Sequence, residues 1–362
     1  MRKMKNVVHI VGARPNFMKL APVHEALRQY SYIQQYIIHG GQHYDYNMSD
    51  IFFKEFNLPE PDINLEINGK TVLQQIGLGI IKLEEHLPSF KPDLVIIYGD
   101  INATAYASIV CSKLGYKLAH VEAGLRSFDR SMPEETNRII ADCLSDFFFT
   151  PSKDANKNLL DSGIATENIF LVGNVMIDTL IKFLPKTTTA SYSFTIPNEY
   201  GLVTLHRPSN VDNEKKLFEI LTMLKNISDE IPIIFPVHPR TKSKIPEDFF
   251  LNPSNLIITE PLGYIQFLNL QKNAKFVITD SGGIQEETTY LGIPCFTFRD
   301  NTERPVTVEV GTNILVGSVT ESLQENIKKF LRGVKKSASV PAYWDGKTAY
   351  RISSIIDNLL AN

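Results

Sequence analysis

Phe276-Val-Ile-Thr-Asp-Ser-Gly-Gly-Ile-Gln-Glu-Glu287 sets how the remaining sequence is read. Phe276 to Thr279 are β-branched or aromatic and predict a buried strand. Asp280 and Ser281 suit the cap of a following helix, and Gly282-Gly283 permits a tight turn and close approach of a ligand. From Ile284 the spacing of Ile284, Thr288 and Leu291 predicts a helix that Gly292-Ile-Pro294 ends. Strand, glycine turn and helix start aim free N–H groups and a positive dipole end at one point, a seat for a phosphate. The turn is not a GxGxxG dinucleotide fingerprint, and a plain strand-to-helix turn reads equally well from these residues alone. The next strand, Cys295 to Phe298, runs into Arg299-Asp-Asn-Thr-Glu-Arg-Pro305 and adds two arginines to the same rim.

The same alternation fills the chain on either side. Strands are predicted at Val7 to Val11, Gln35 to His39, Leu94 to Tyr98, Lys117 to Val121 and Phe147 to Thr150. Helices are predicted after Gly12-Ala-Arg-Pro15 to about Tyr30, over Leu73 to Leu87, Ala103 to Leu114 and Glu134 to Leu144, and from Pro151-Ser152. The pattern lapses around Phe183 to Asn198, then restarts with strands at Leu202 to Leu205, Pro232 to Val237 and Leu256 to Thr259. This is the alternation of parallel sheets covered on both faces. The expected fold class is α/β, with two Rossmann-like doubly wound domains facing each other across a cleft. Residues 1–185 form the first, with candidate catalytic carboxylates, 186–345 the second, and 346–362 a closing helix.

The 362 residues are 43% hydrophobic with a formal net charge of -3, and no Lys/Arg block stands out, which argues against a nucleic-acid partner. Cys111, Cys143 and Cys295 lie far apart in apolar contexts and read as reduced core thiols. Met1-Arg-Lys-Met-Lys5 before Val7 to Val11 imitates a signal peptide, but His9 and Gly12-Ala-Arg14 favour a first core strand. No run approaches the roughly 18 apolar residues of a membrane span, so a cytoplasmic protein without a membrane partner is expected.

Gly69-Lys-Thr71 imitates the end of a P-loop, but the required first glycine is replaced by Asn64. His206 and His238 lack metal-ligand spacing, and no metal is expected. Asp100 and Glu122 each follow an apolar strand, and Glu134 opens the helix after the next loop. Each alone reads as a helix cap or dipole partner. Three in adjacent units, with Arg126, Arg130 and Arg138 among them to hold them ionised, point to acid–base chemistry. His206-Arg207 ends the first strand of the second half, and His206 suits a proton or phosphate role near neutral pH.

Several blocks occur in a fixed order: Gly12-Ala-Arg-Pro15 with Lys19, Gly41-Gln-His43, Gly99-Asp100, His120-Val-Glu-Ala-Gly-Leu-Arg126, Pro133-Glu-Glu-x-Asn-Arg138, Thr279 to Glu287 and Arg299 to Pro305. Together they resemble the non-hydrolysing UDP-N-acetylglucosamine 2-epimerases from Val7 to Asp345-Gly346. The resemblance implies a glycosyltransferase-B type fold whose last helix crosses back to the first domain. It implies reversible conversion of UDP-GlcNAc to UDP-ManNAc without metal or nicotinamide cofactor, in a homodimer supplying surface polysaccharide. By position it makes Asp100, Glu122, Glu134 and His206 catalytic. It makes Arg14, Lys19, Arg138, Ser281, Gly282, Gly283, Glu287 and Arg304 contacts of the UDP-sugar, Glu287 through the ribose hydroxyls. An activating second UDP-GlcNAc would bind near Gln42, His43, Arg207 and His238. The chain departs from the family at His206-Arg-Pro-Ser-Asn210 and at Asn68-Gly-Lys70, which bear on that regulation and on the exact sugar. A diacetamido uronic acid as the sugar, a glycosyltransferase of the same architecture, a hydrolysing epimerase and an inactive nucleotide-sugar sensor are the competing readings.

Overall fold

The structure, a computed structural model, describes residues 2–12, 14–41, 56–69, 71–251 and 255–361. It divides into two compact units, Met1–Thr179 with Ala342–Asn362, and Leu180–Pro341.

The first unit holds a parallel sheet of β1 (Lys5–Val11), β2 (Ile33–His39), β3 (Ile63–Asn64), β4 (Leu94–Tyr98), β5 (Leu118–Val121), β6 (Phe147–Thr150) and β7 (Ile169–Leu171). Their spatial order is β3-β2-β1-β4-β5-β6-β7. The second unit holds β8 (Gly201–Thr204), β9 (Ile233–Pro236), β10 (Leu256–Thr259), β11 (Phe276–Thr279), β12 (Cys295–Thr297) and β13 (Asn313–Leu315), in the order β10-β9-β8-β11-β12-β13. Central strands such as β4, Leu-Val-Ile-Ile-Tyr, are buried along their whole length because helices cover both faces. Val8, Ile10, Val95 and Ile97 pack with Tyr106 and Val110 in the first core; Val203, Ile233, Phe276 and Phe296 pack with Leu221 and Leu224 in the second.

In each sheet the chain first winds outward in one direction and then restarts on the other side of the first strand. The reversal falls between β1 and β4, and again between β8 and β11. Ile10 pairs with Ile97 and Thr204 with Thr279, so the paired strands end nearly level. Open α/β sheets bind ligands beyond the carboxyl ends of the strands at such a reversal. The residues standing there are Gly12 and Gly99-Asp100 in one unit, and His206 and Asp280-Ser281 in the other.

The closing helix, Thr348–Ala361, belongs to the first unit. Asp178 accepts from its Thr348 and Ala349 amides at 3.2 and 2.7 Å and so caps it from a distant helix. Trp344 donates its indole N–H to the Pro151 carbonyl at 3.0 Å, and Gln29 donates to Ser353 at 3.2 Å. Residues 183–198, where the sequence pattern lapses, contain a 3-10 helix, Leu184–Thr189, whose Thr187 carbonyl accepts from Asn269 at 2.7 Å. Among the described residues no helix is long and apolar enough to cross a membrane. Cys111 and Cys295 are buried, as the sequence suggests, but Cys143 is exposed near the end of its helix, not a core thiol.

Candidate active site

Two polar constellations stand at the two strand reversals. In the first unit Glu122 follows β5 with φ at 71°, a left-handed backbone that costs a residue with a side chain on the order of 1–3 kcal/mol. Its Oε2 lies 2.7 Å from Lys19 Nζ, and both side chains are buried. The ammonium reaches that place because residue 99 is glycine: a Cβ there would stand 2.7 Å from Lys19 Nζ. Asn16 supports the same turn, donating to the Tyr98 carbonyl at 2.9 Å and accepting from the Gly12 amide at 3.2 Å.

Asp100 lies against the buried Arg138 guanidinium, with its Oδ2 3.0 Å from Nε and 2.8 Å from Nη2. Arg138 Nη1 is in turn 2.6 Å from the buried Glu135, which also accepts from the Ser127 amide at 2.8 Å, the Ser127 hydroxyl and the Phe128 amide. Arg138 thus holds Asp100 beside a fixed positive charge. Arg126 does not join it but pairs with Asp142 at 2.5 Å, and Arg130 is exposed. Glu134 stands exposed on the first turn of the helix Pro133–Leu144. The Arg14 side chain, Gln42 and His43 lie outside the described residues.

In the second unit the helix Gly282–Leu291 starts where β11 ends. A Cβ on Gly282 would come within 2.3 Å of Arg304 Nη1 and 2.7 Å of Glu303 Oε1, so glycine lets the guanidinium lie directly on the helix start. Glu286 Oε1 fixes Arg304 Nε at 2.7 Å, and Glu303 contacts both Arg304 and Arg299. Ser281 and Gly283 remain half-buried beside it. Glu287 is buried and accepts from the Tyr264 hydroxyl at 3.0 Å.

Asp280 does not cap its own helix, and Ser281 makes no side-chain capping bond. The Asp280 carboxylate turns back to the adjacent strand end, where it accepts from the His206 amide at 3.1 Å, the Arg207 amide at 2.9 Å and Asn210 Nδ2 at 2.9 Å. A fully buried carboxylate needs several donors, and the loop after β8 supplies more than the helix start does. Burial alone would raise the Asp280 pKa; His206, Asn210 and the Arg207 amide outweigh it and hold the carboxyl below its usual range. His206 Nδ1 lies 3.1 Å from Asp280, with 59% of the side chain exposed. Arg207 donates Nε–H to the Asp280 carbonyl at 2.9 Å, and His238 is exposed.

Asn16, Glu135, Asp142, Glu286 and Glu303 were not singled out from the sequence. For two of them a signal exists. Glu135, Arg138 and Asp142 recur at helical spacing i, i+3, i+7, and that face is buried. A charged stripe in the place of an apolar one marks an internal ion network. Among the described residues no group of three or more His, Cys, Asp or Glu could hold a metal ion.

Comparison with known proteins gives one consistent result. The family model described as UDP-N-acetylglucosamine 2-epimerase matches residues 25–357. A UDP-N-acetylglucosamine 2-epimerase of Methanocaldococcus jannaschii is 44% identical over 96% of this chain and 97% of its own. The UDP-2,3-diacetamido-2,3-dideoxy-D-glucuronate 2-epimerase of Pseudomonas aeruginosa is 36% identical over 98% of this chain and 99% of its own. The crystal structure of the Methanocaldococcus jannaschii UDP-GlcNAc 2-epimerase in complex with UDP-GlcNAc and UDP superimposes with a TM-score of 0.88 at 42% identity, covering 98% of this chain and 99% of that one.

Proposed function

Because the chain belongs to the UDP-N-acetylglucosamine 2-epimerase family, we propose that it interconverts UDP-GlcNAc and UDP-ManNAc by eliminating UDP and adding it back. The hydrogen at C2 of a sugar is not acidic, since no carbonyl adjoins it. Cleavage of the C1–O bond, with its electron pair leaving on UDP, develops positive charge at C1 and acidifies C2. A carboxylate takes the C2 proton, and 2-acetamidoglucal and UDP result. UDP then re-adds at C1 while a proton is delivered to C2 from the opposite face. The reaction needs proton-transfer groups on two faces and fixed positive charge for the departing diphosphate.

The observation that carries the reading is the pairing of Asp100 with buried Arg138 and of Glu122 with buried Lys19, two carboxylates each set beside its own cation. In this proposal Asp100, Glu122 and Glu134 move the C2 proton, and His206 assists at the phosphate. Ser281, Gly282, Gly283 and Arg304 take the diphosphate, Glu287 the ribose, and Arg14, Lys19 and Arg138 complete the contacts. Arg304→Ala and Ser281→Ala then weaken UDP binding, whereas Asp100→Asn and Glu134→Gln lower kcat. The same proposal makes the protein a cytoplasmic homodimer supplying ManNAc units for surface polysaccharide. Any activation by a second nucleotide sugar would depend on Arg207 and His238.

Proton NMR in D2O tests the chemistry. UDP-ManNAc formed from UDP-GlcNAc should carry deuterium at C2, because a carboxylic acid side chain exchanges its proton with water. Full retention of the C2 hydrogen would count against elimination and against these carboxylates. The 36% identity to a diacetamido-glucuronate epimerase supports one competing substrate. A kcat/KM for that uronate above the value for UDP-GlcNAc would replace the sugar in the proposal and leave its chemistry intact.

A further inference from the structure

We propose that His120, backed by Asp142, is a positioning residue, and that this one buried imidazole–carboxylate pair holds both carboxylate-bearing turns of the first unit. The inference deepens the epimerase reading and rests on it for the roles of Asp100 and Glu122.

His120 lies in β5 with none of its surface exposed, and Asp142 is 2% exposed, so neither can touch substrate. His120 Nε2 lies 2.8 Å from the Gly99 carbonyl. A carbonyl only accepts, so Nε2 carries the hydrogen of that bond. The other ring nitrogen, Nδ1, lies 2.7 Å from Asp142 Oδ1. Asp142 Oδ2 accepts from the Gly124 amide at 3.1 Å and from Arg126 Nη1 at 2.5 Å. Burial alone would raise Asp142, but His120 and Arg126 outweigh it and hold the carboxyl below its ordinary range.

The connectivity is what points to positioning. Gly99 immediately precedes Asp100, and Gly124 follows Glu122 by two residues. One imidazole–carboxylate pair therefore ties the peptide that aims Asp100 to the turn that aims Glu122. Positions 120, 124 and 126 all close on Asp142, and Glu122 stands at the apex of that loop in left-handed backbone. Such a conformation persists only where the surroundings over-determine it. Glu122 also lies against the same glycine that His120 holds, with Oε1 3.8 Å from where a Gly99 Cβ would stand.

Two conservative variants separate the two ring contacts. An asparagine amide reaches the place of Nδ1 and can keep Asp142, whereas a glutamine amide reaches the place of Nε2 and can keep the Gly99 carbonyl. For His120→Asn, kcat with UDP-GlcNAc should fall about 100-fold, the size of loss a misplacement of roughly 1 Å brings, while KM changes less than about threefold. His120→Gln should recover at least about tenfold of that loss, because it keeps the contact that aims Asp100. Both values are taken per folded molecule, counted by thermal unfolding amplitude. Equal kcat in folded His120→Asn and wild type, or equal losses in both variants, would overturn the inference. Crystal structures of the two variants give a readout that needs no turnover. A shifted Gly99 carbonyl and a broken Asp100–Arg138 contact in His120→Asn, both restored in His120→Gln, support it. The same turn in both variants as in wild type overturns it. Wild-type protein that leaves UDP-GlcNAc unchanged would instead sink the epimerase reading, and the two crystal structures would still decide the positioning role.

Discussion

Each unit carries a histidine–aspartate pair near the carboxyl ends of its strands, and the two pairs are built in opposite ways. His120 and Asp142 are both buried, and the imidazole is spent on a carbonyl and a carboxylate. His206 leaves 59% of its side chain exposed above an Asp280 that is fully buried and held largely by amides. The same two residue types therefore serve different ends. A ring with both nitrogens engaged inside the protein can only hold geometry, whereas a ring with one nitrogen free at the surface can meet a ligand. The carboxylates at the strand ends also differ: Glu122 and Asp100 each lie against a side-chain cation, Lys19 and Arg138, whereas Asp280 draws on the His206 and Arg207 backbone amides.

The largest expected consequence concerns the buried pair. Asp142→Ala leaves His120 and Arg126 without their carboxylate in the interior, and breaking a buried pair in this way costs about 3–5 kcal/mol of stability. Urea unfolding followed by circular dichroism measures it, and a midpoint equal to wild type would erase the contrast between the two pairs. Next in size is Gly282→Ala. Its Cβ would collide with Arg304, and displacing a charged donor from a diphosphate should weaken UDP binding by about 10–100-fold at constant fold stability. Titration calorimetry with UDP would show it, and unchanged affinity would remove Arg304 from the phosphate seat.

Much of this was legible in the sequence, and the gaps have physical causes. The interior strands, β1, β4, β5, β8 and β11 among them, are largely buried and rich in apolar residues, and they fall where the sequence predicts them. The strands that went unread, β3, β7 and β13, have two or three residues each and lie at sheet edges. An edge strand that short carries too little apolar periodicity to stand out. Asp100, Glu122 and His206 stand out in the sequence as candidates because each lies within two residues of the end of a predicted strand. Asp142 shows only its place in the charged stripe with Glu135 and Arg138; its partners His120, Gly124 and Arg126 are 16 to 22 positions away, and only the tertiary fold brings them together. Asp280 reads from the sequence as a helix cap, and nothing local shows that the loop after β8 offers its carboxylate more donors.

Acid provides a smaller perturbation, directed at the first unit. His9 is buried between the Tyr98 hydroxyl at 2.8 Å and Gln35 at 3.0 Å, with the His24 ring 5.8 Å away. Burial, then the charge of His24, lowers His9 to about 3; burial, then Arg28, lowers His24 to about 4, against a small rise from Glu25. Both folded values lie below the unfolded value near 6.5, so the unfolded chain takes up protons first and stability falls as pH drops below that point. Each histidine contributes a slope of about 1.4 kcal/mol per pH unit. Asp178, raised to about 6 by burial, works the other way, because the folded state binds its proton first. The net loss from pH 6 to 4 is then about 1.4 kcal/mol per unit. Hydrogen exchange at pH 5 should report opening of the first unit before the second, and His24→Gln should flatten the loss. Earlier opening of the second unit would refute this account.

The smallest effect is expected at the exposed pair. His206→Asn removes the imidazole contact with Asp280 at 3.1 Å, but the carboxylate keeps the His206 and Arg207 amides and Asn210 as donors. The two amides belong to the backbone and survive the substitution. A contact whose histidine is mostly in water contributes about 0–1 kcal/mol, since solvent competes for the ring and screens its charge. Stability should therefore change by less than about 1 kcal/mol, well below the 3–5 kcal/mol expected for Asp142→Ala. Turnover should nevertheless drop if His206 serves the phosphate. The variant then separates activity from folding in the second unit, as no change at Asp142 can in the first. Urea midpoints and initial rates of UDP-ManNAc formation on the same preparation measure both. A midpoint loss as large as that of Asp142→Ala would mean that His206 holds the fold as His120 does, and the division of labour between the two pairs would fall.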